Sequence, residues 1–187
     1  MINLLKIFQT IELYGKYKGY PVVVLCLGIN ENTKYTMDTI IQQIKQQLTL
    51  TPYKKILIIK GDYTHLNSTQ TRVLCIELHK QIPHLTITLQ TEKHTENKTD
   101  VEYILVVPST FSYTHLKELF QHTPQYTQVD YLFNIQENRT LTINLLNRLY
   151  KENILPDKEV YLHPLNEYEH KQLLEDWSII QFPFIIQ

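Results

Sequence analysis

Alanine is absent from this chain, and cysteine occurs only twice in its 187 residues, at Cys26 and Cys75. Two thiols are too few for an iron–sulfur cluster, which takes about three or four cysteine ligands. Each cysteine lies in an apolar pattern, so we expect buried small hydrophobic residues rather than a disulfide. The missing alanine, with abundant Ile, Thr, Gln, Asn and Lys, is typical of an AT-rich coding sequence such as a viral or phage gene.

Arginine is also scarce, with Arg72, Arg139 and Arg148 as its three occurrences, and the net charge is −1. A general nucleic-acid-binding protein needs a basic face, so this class is excluded, and a dedicated phosphate-clamping surface is not expected. No apolar run approaches the roughly 20 residues that span a bilayer, and the start Met-Ile-Asn-Leu-Leu-Lys is too soon polar for a signal peptide. We therefore expect a cytoplasmic protein without membrane contact.

The familiar catalytic and metal-binding motifs are missing as well. The sequence has no Gly-x-Ser-x-Gly turn, no phosphate-binding glycine loop and no His-x3-His spacing. Eight histidines are present. His79 lies within reach of His84 in sequence, and His163 within reach of His170. We expect these histidines to be exposed or to cap an element rather than to bind a metal. No catalytic and no metal-binding residue is predicted.

Apolar runs and helical periodicity alternate along the chain. After a loop over residues 8–21, the strands are predicted at 22–27, 54–60, 85–90, 102–107, 130–135 and 159–163, with a final apolar strand or tail at 179–186. The helices are predicted at 36–48, 68–81, 113–121, 141–152 and 167–175. Such alternation indicates βαβ units in a mostly parallel sheet. Six units are too few to close an eight-stranded barrel, so we expect an open partial (β/α)6 barrel in a single domain over residues 1–187.

The opening stretch carries a resemblance to a known family. It reads Phe8-Gln-Thr-Ile-Glu-Leu-Tyr-Gly15, then Gly19-Tyr-Pro21, an apolar strand, and a polar loop from Gly28 to Asp38. In order and spacing it resembles the 7-carboxy-7-deazaguanine synthases, a radical S-adenosylmethionine (SAM) family of deazapurine biosynthesis. That family opens with Phe-x-Thr-Ile-Gln-Gly-Glu-Gly and then Gly-x-Pro, before a loop of three cysteines. The resemblance implies the partial barrel of radical SAM enzymes and a homodimer.

The polar residues of the family's motifs are mostly replaced here. The loop from Gly28 to Asp38 holds no cysteine, so we expect the iron–sulfur cluster to be lost and no cofactor to be bound. Glu12 stands where the family has the Gln that contacts substrate, and Gly15 keeps the family's last glycine. The family's SAM-binding Thr-Gly-Gly-Glu-Pro falls on Ile59-Lys60-Gly61-Asp62-Tyr63, where one glycine and one carboxylate persist. We expect Lys60 either to project into the space of the lost glycine or to form a salt bridge with Asp62.

The family's later motifs also lose most of their polar residues in this sequence. Thr91 keeps the threonine of the family's Glu-Thr-Asn-Gly-Thr, and His163 stands in Leu162-His163-Pro164-Leu165 where the family has Leu-Gln-Pro-Met. Gln181 keeps the glutamine of the closing motif, while Phe184 replaces a lysine, so the apolar tail is expected to cover the barrel mouth or a partner. The candidate ligand-binding residues are Glu12, Gly15, Gly61, Asp62, Thr91, His163 and Gln181.

Two hypotheses follow. The first is a catalytically inactive homologue of the synthase that acts as a binding, interaction or regulatory protein, in a deazapurine or phage context. Its partner would be a second copy, a related protein or another protein. The alternative is a cluster-free enzyme, or a binder of purine or SAM-like nucleotides, that reuses the barrel cavity.

Overall fold

A computed structural model describes residues 2–12, 17–28, 34–50, 54–91, 101–107, 112–121, 129–135, 139–155, 160–164 and 167–186. Its strands are β1 (Ile2–Ile11), β2 (Pro21–Leu27), β3 (Lys34–Tyr35), β4 (Ile56–Lys60), β5 (Thr86–Thr91), β6 (Glu102–Val107), β7 (Val129–Ile135), β8 (Val160–Pro164) and β9 (Ile185–Ile186). Its α-helices are α1 (Met37–Leu48), α2 (Tyr63–Leu66), α3 (Thr69–Gln81), α4 (Tyr113–Gln121), α5 (Arg139–Lys151) and α6 (Glu167–Glu175), and a 3-10 helix spans Asp176–Ile179.

The strands form one nine-stranded sheet in the order β3-β1-β2-β4-β5-β6-β7-β8-β9, with β3 and β9 at its edges. Neighbours from β2 to β9 run parallel, whereas β1 runs antiparallel to both β2 and β3. The sheet is therefore mixed and open. Six of the eight described strand pairings are parallel, and β1 and β3 add an antiparallel margin beside β2 that was not predicted.

The main hydrophobic core lies on one face of this sheet, where residues of alternate strand positions meet the helices. Leu57 and Ile59 of β4 point to this face, as do Tyr131 and Phe133 of β7. Buried residues of all six described helices belong to the same cluster: Ile40, Ile41, Ile44, Leu48, Leu66, Leu74, Cys75, Leu78, Leu116, Phe120, Ile143, Leu146, Leu149 and Leu173. Helices on one face of an open sheet are the arrangement expected of a partial barrel.

The opposite face, here called the inner face, is lined by the intervening strand residues. A small second cluster on it joins Val22 and Val24 of β2 to Ile56 and Ile58 of β4, with Tyr17 packed over them. The Tyr17 hydroxyl donates a hydrogen bond to Glu102 Oε2 at 2.5 Å, which ties the segment before β2 to the start of β6. The inner face is thus filled near the amino ends of the parallel strands.

The structure corrects the predicted loop over residues 8–21. Phe8 to Ile11 belong to β1, with Phe8 opposite Val24 and Thr10 opposite Val22, and Pro21 already begins β2. Six of the ten residues of β1 are apolar, but they do not alternate with the polar ones and the last three positions are exposed, so pairing with β2 rather than periodicity defines the strand. Gly19 does lie in a turn, where its φ of +83° favours glycine.

The sequence predicted the ends of the helices more closely than the ends of the strands. The ranges 113–121 and 167–175 are confirmed, and Thr36 and Ser68 cap α1 and α3 through hydrogen bonds to the main-chain N–H groups of Thr39 and Thr71. Besides β1, three described elements were not predicted: β3, the single-turn helix α2, and the 3-10 helix. The predicted strand or tail at 179–186 reduces to β9 at its end, because the 3-10 helix reaches Ile179.

Candidate functional site

A cleft of about 530 Å³ opens at the carboxyl ends of β4, β5 and β6. Among the described residues it is lined by Lys60, Gly61, Asp62, Tyr63, Gln90, Thr91 and Val106. Loops and side chains at this end of parallel strands are where α/β folds bind their ligands. The volume falls in the range of small-molecule sites, about 300–1,000 Å³. This cleft is the candidate site.

Gly61 keeps the backbone at the end of β4 close to the end of β2. A Cβ atom at this position would lie 2.9 Å from the main-chain oxygen of Leu27 and 3.2 Å from its Cβ atom. Backbone atoms of two paired strands have little room to move, so only glycine fits without displacement. Gly61 therefore has a structural reason to be glycine, whatever the cleft binds.

Asp62 starts α2 at the rim of the cleft. Its Oδ1 accepts hydrogen bonds from the main-chain N–H of His65 at 3.0 Å and from His65 Nδ1 at 2.7 Å. The main-chain N–H of His65, followed by its side chain, holds the pKa of Asp62 below its usual value. The carboxylate is thus occupied as a helix cap and as the partner of His65.

The structure brings three of the predicted residues together and separates the others. Gly61, Asp62 and Thr91 line the cleft, and Thr91 is buried there. Gly15 lies outside the described residues. Glu12 is buried just after β1, where its main chain pairs with Gly19 and Tyr20. Because β1 ends beside the start of β2, Glu12 lies at the opposite end of the sheet from the cleft.

His163 and Gln181 lie elsewhere. His163 is in β8, paired in register with Asn134 of β7, and it is not among the residues that line the cleft. Gln181 is exposed, and its main-chain N–H donates to Asn147 Oδ1 of α5 at 2.8 Å. The tail that it begins buries Phe182 in the main core, with Phe184 packed against that core. The described part of the tail therefore covers the helix side rather than the cleft.

Sequence reasoning missed several residues that line the cleft. Lys60 was expected to project into this space, but Tyr63, Gln90 and Val106 were not singled out. Strand alternation was the available signal, because Lys60 follows Ile56 and Ile58 on the inner face at a period of two. Finding Gln90 also required the register of β4 against β5, which pairs Gln90 with Lys60.

The two cysteines lie on opposite sides of the sheet. Cys26 of β2 packs beside the small inner cluster and is half-buried, which corrects the expectation that it is fully buried. Cys75 of α3 is buried in the main core, where burial raises the pKa of its thiol to about 12. A cluster needs about three or four converging thiolates. These two thiols do not converge, so the donor set does not fit an iron–sulfur cluster.

Three further histidines, which were not expected to bind a metal, lie apart from the cleft. His79 is at the partly exposed end of α3, His84 follows it in a turn with φ of +63°, and His170 is exposed on α6. Within the described ranges, no three His, Cys, Asp or Glu side chains converge closely enough to hold a metal ion. No described helix is both long enough and apolar enough to cross a membrane.

Comparison with known proteins gives a match in structure alone. The fold is similar to the crystal structure of QueE from Escherichia coli, a 7-carboxy-7-deazaguanine synthase, with a TM-score of 0.66 over 100% of this chain and 93% of that one. The two sequences are 14% identical over this alignment. No protein-family model and no curated protein sequence matches the chain.

This likeness establishes the fold alone, since the identity is low. It covers the whole chain, and the sequence motifs that resemble the 7-carboxy-7-deazaguanine synthases extend over almost the whole chain. The open mixed α/β sheet with helices on one face is therefore a fold of the QueE type. What the cleft does must be argued from its own residues.

Proposed function

We propose that this chain is a catalytically inactive homologue of the 7-carboxy-7-deazaguanine synthases that acts as a binding protein. The observation that carries the proposal is the placement of the two thiols on opposite faces of a sheet of this fold. Radical SAM chemistry starts at a cluster held by converging thiolates. Here Cys75 of α3 lies in the core on the helix side of the sheet, and Cys26 of β2 lies on the inner side. The scaffold is kept, and the sulfur ligands are not.

The carboxyl-end cleft supports a binding role. A chain that had lost all function at this end would be free to fill it with apolar side chains, as the amino end is filled by Tyr17. Instead the cleft retains a lysine, a carboxylate, an amide and a hydroxyl, at Lys60, Asp62, Gln90 and Thr91. Converging polar groups in a cleft with apolar walls are typical of small-molecule sites.

Self-association is part of this proposal, since the resemblance implies a homodimer, or pairing with an active relative. A deazapurine or phage context is the setting that the resemblance and the composition suggest. Light scattering after size-exclusion chromatography tests the assembly, and a mass of one chain at all concentrations contradicts self-association.

The alternative is a cluster-free enzyme or a binder of purine or SAM-like nucleotides in the same cleft. The size of the cleft favours it, because about 530 Å³ accommodates a nucleoside. Calorimetric titration with SAM, guanine and a deazapurine tests this alternative. Heat that saturates at one ligand per chain supports it, and no heat with any of the three contradicts it.

The test of the main proposal is SAM cleavage by protein treated anaerobically with iron, sulfide and a strong reductant. We expect no cleavage above the level of a Cys26→Ser, Cys75→Ser double variant, which controls for adventitious iron. Turnover that exceeds this control would show a working radical centre and would contradict the proposed loss of activity.

A further inference from the structure

A row of side chains crosses the inner face at the floor of the cleft. Cys26 of β2 is in register with Lys60 of β4, and Lys60 is in register with Gln90 of β5. Because side chains alternate along a strand, Lys60 lies on the same face as Ile58 and next along it toward the carboxyl end. The amine and the amide are therefore neighbours on adjacent strands, about 5 Å apart in backbone spacing.

Neither group has a partner within the described part of the chain. Lys60 and Gln90 are both half-buried, and no hydrogen bond or ion pair joins either side chain to another described residue. Partial burial of an ammonium group without a counter-charge is unfavourable, and buried amides are normally hydrogen-bonded. In the cleft both groups are left to solvent, so a ligand that offers them partners would bind in the place of water.

Asp62, the carboxylate at the rim, is engaged by His65 rather than by Lys60. It accepts two hydrogen bonds from His65, and no ion pair joins it to Lys60 among the described residues. The Lys60 ammonium therefore lies beside the Gln90 amide without a carboxylate in direct contact. Val106 and the ring of Tyr63 supply apolar surface on the walls.

We propose that the cleft binds a small molecule with one anionic group, a carboxylate or a phosphate, held by the Lys60 ammonium and the Gln90 amide. The apolar body of the ligand lies against Val106 and Tyr63. This inference rests on the proposed binding function and names its ligand class. A charge-assisted hydrogen bond is the strong kind, so the anionic group dominates the affinity.

Two matched pairs of probes separate the sources of the anion. Adenosine monophosphate is compared with adenosine, and indole-3-carboxylate with indole, by calorimetry on the as-isolated protein after its iron content is measured. We expect the anionic member of at least one pair to bind about ten- to a hundredfold more tightly than its neutral counterpart. The pair that shows this preference identifies phosphate or carboxylate as the group recognised.

Lys60→Gln removes the charge at similar length, and Lys55→Gln is its matched control, since Lys55 is exposed just before the other end of the same strand. We expect Lys60→Gln to abolish the preference and Lys55→Gln to keep it. Should Lys60→Gln fail to fold, the wild-type protein still decides, because added salt must weaken binding of the anion and leave the neutral probe unchanged.

Equal binding within both pairs, a preference that survives in folded Lys60→Gln, or no binding by any of the four probes overturns this inference. These outcomes are distinct from failure of the proposed function. Stoichiometric iron with SAM cleavage contradicts the binding role itself, whereas iron-free protein without an anion preference contradicts this ligand class.

Discussion

Strand residues on the two faces of the sheet have different roles. On the helix side, apolar residues at alternate strand positions join one continuous core, as Leu57 and Ile59 do in β4. On the inner side, the same strand contributes Ile56, Ile58 and then Lys60, so the face changes from apolar to polar toward the carboxyl end. One face of the sheet thus stabilises the fold, and the carboxyl end of the other face holds the candidate site.

The thiols illustrate this difference. Cys75 is a core residue on the helix side, and Cys26 lies on the inner side in register with Lys60. If the two faces differ in this way, substitutions on them should differ in energy and in chemistry.

The largest effect is expected on the helix side. Ile59→Ala removes a fully buried side chain from the main core, and we expect a loss of about 3 kcal/mol in the free energy of unfolding, measured with urea. Ile11→Ala is the control, because Ile11 is 59% exposed at the end of β1 and should change stability by less than about 0.5 kcal/mol. Equal losses at both positions would contradict the assigned core.

A smaller loss is expected where β4 meets the cleft. Gly61→Ala places a Cβ atom 2.9 Å from the Leu27 oxygen, and we expect it to lower the free energy of unfolding by about 2 kcal/mol. Gly19→Ala has open space around it but a positive φ, and should cost about 1 kcal/mol. A neutral Gly61→Ala variant would show that the strand ends are farther apart than described.

On the inner face, Tyr17→Phe removes the hydroxyl that donates to Glu102. We expect a loss of about 1.5 kcal/mol, since hydrogen bonds to a carboxylate contribute about this much. Tyr168→Phe makes the same change at a 71% exposed position and should be close to neutral. Thermal or urea unfolding checks both variants, and an unchanged Tyr17→Phe protein would argue against the Tyr17–Glu102 contact.

The smallest predicted effect is a pH dependence of stability that Cys75 causes and Cys26 does not. The pKa of Cys75 is about 12 in the folded protein against an ordinary value of 9.0, so its stabilising contribution is complete below pH 9 and declines as the pH rises. Between pH 8 and 9.5 the wild type should lose about 1 kcal/mol more than Cys75→Ala. Cys26→Ala is the control and should keep the decline. A decline that is the same in wild type and Cys75→Ala would contradict burial of that thiol.

Much of the fold could be predicted from sequence because its helices carry strong apolar periodicity. Helices α4 and α6 were located correctly, and β6 as well. The strand β1 was missed because its apolar and polar residues do not alternate at a period of two, and pairing with β2 decides its conformation. Local pattern does not report such long-range pairing.

The site could be predicted only in part for a related reason. Gly61, Asp62 and Thr91 follow strands that end at one edge, so their proximity follows from parallel pairing. Glu12 was expected there too, but the antiparallel direction of β1 carries it to the other end. The partnership of Lys60 and Gln90 depends on strand register, and register is set by packing across the whole sheet.

The central claim is that this scaffold retains its sheet while its thiols no longer converge on a cluster. Iron and acid-labile sulfide bound per chain, measured after anaerobic reconstitution and desalting, test it most directly. The account predicts sub-stoichiometric iron that is equal in the wild type and the Cys26→Ser variant. About four iron and four sulfide per chain, lost on Cys26→Ser, would contradict it.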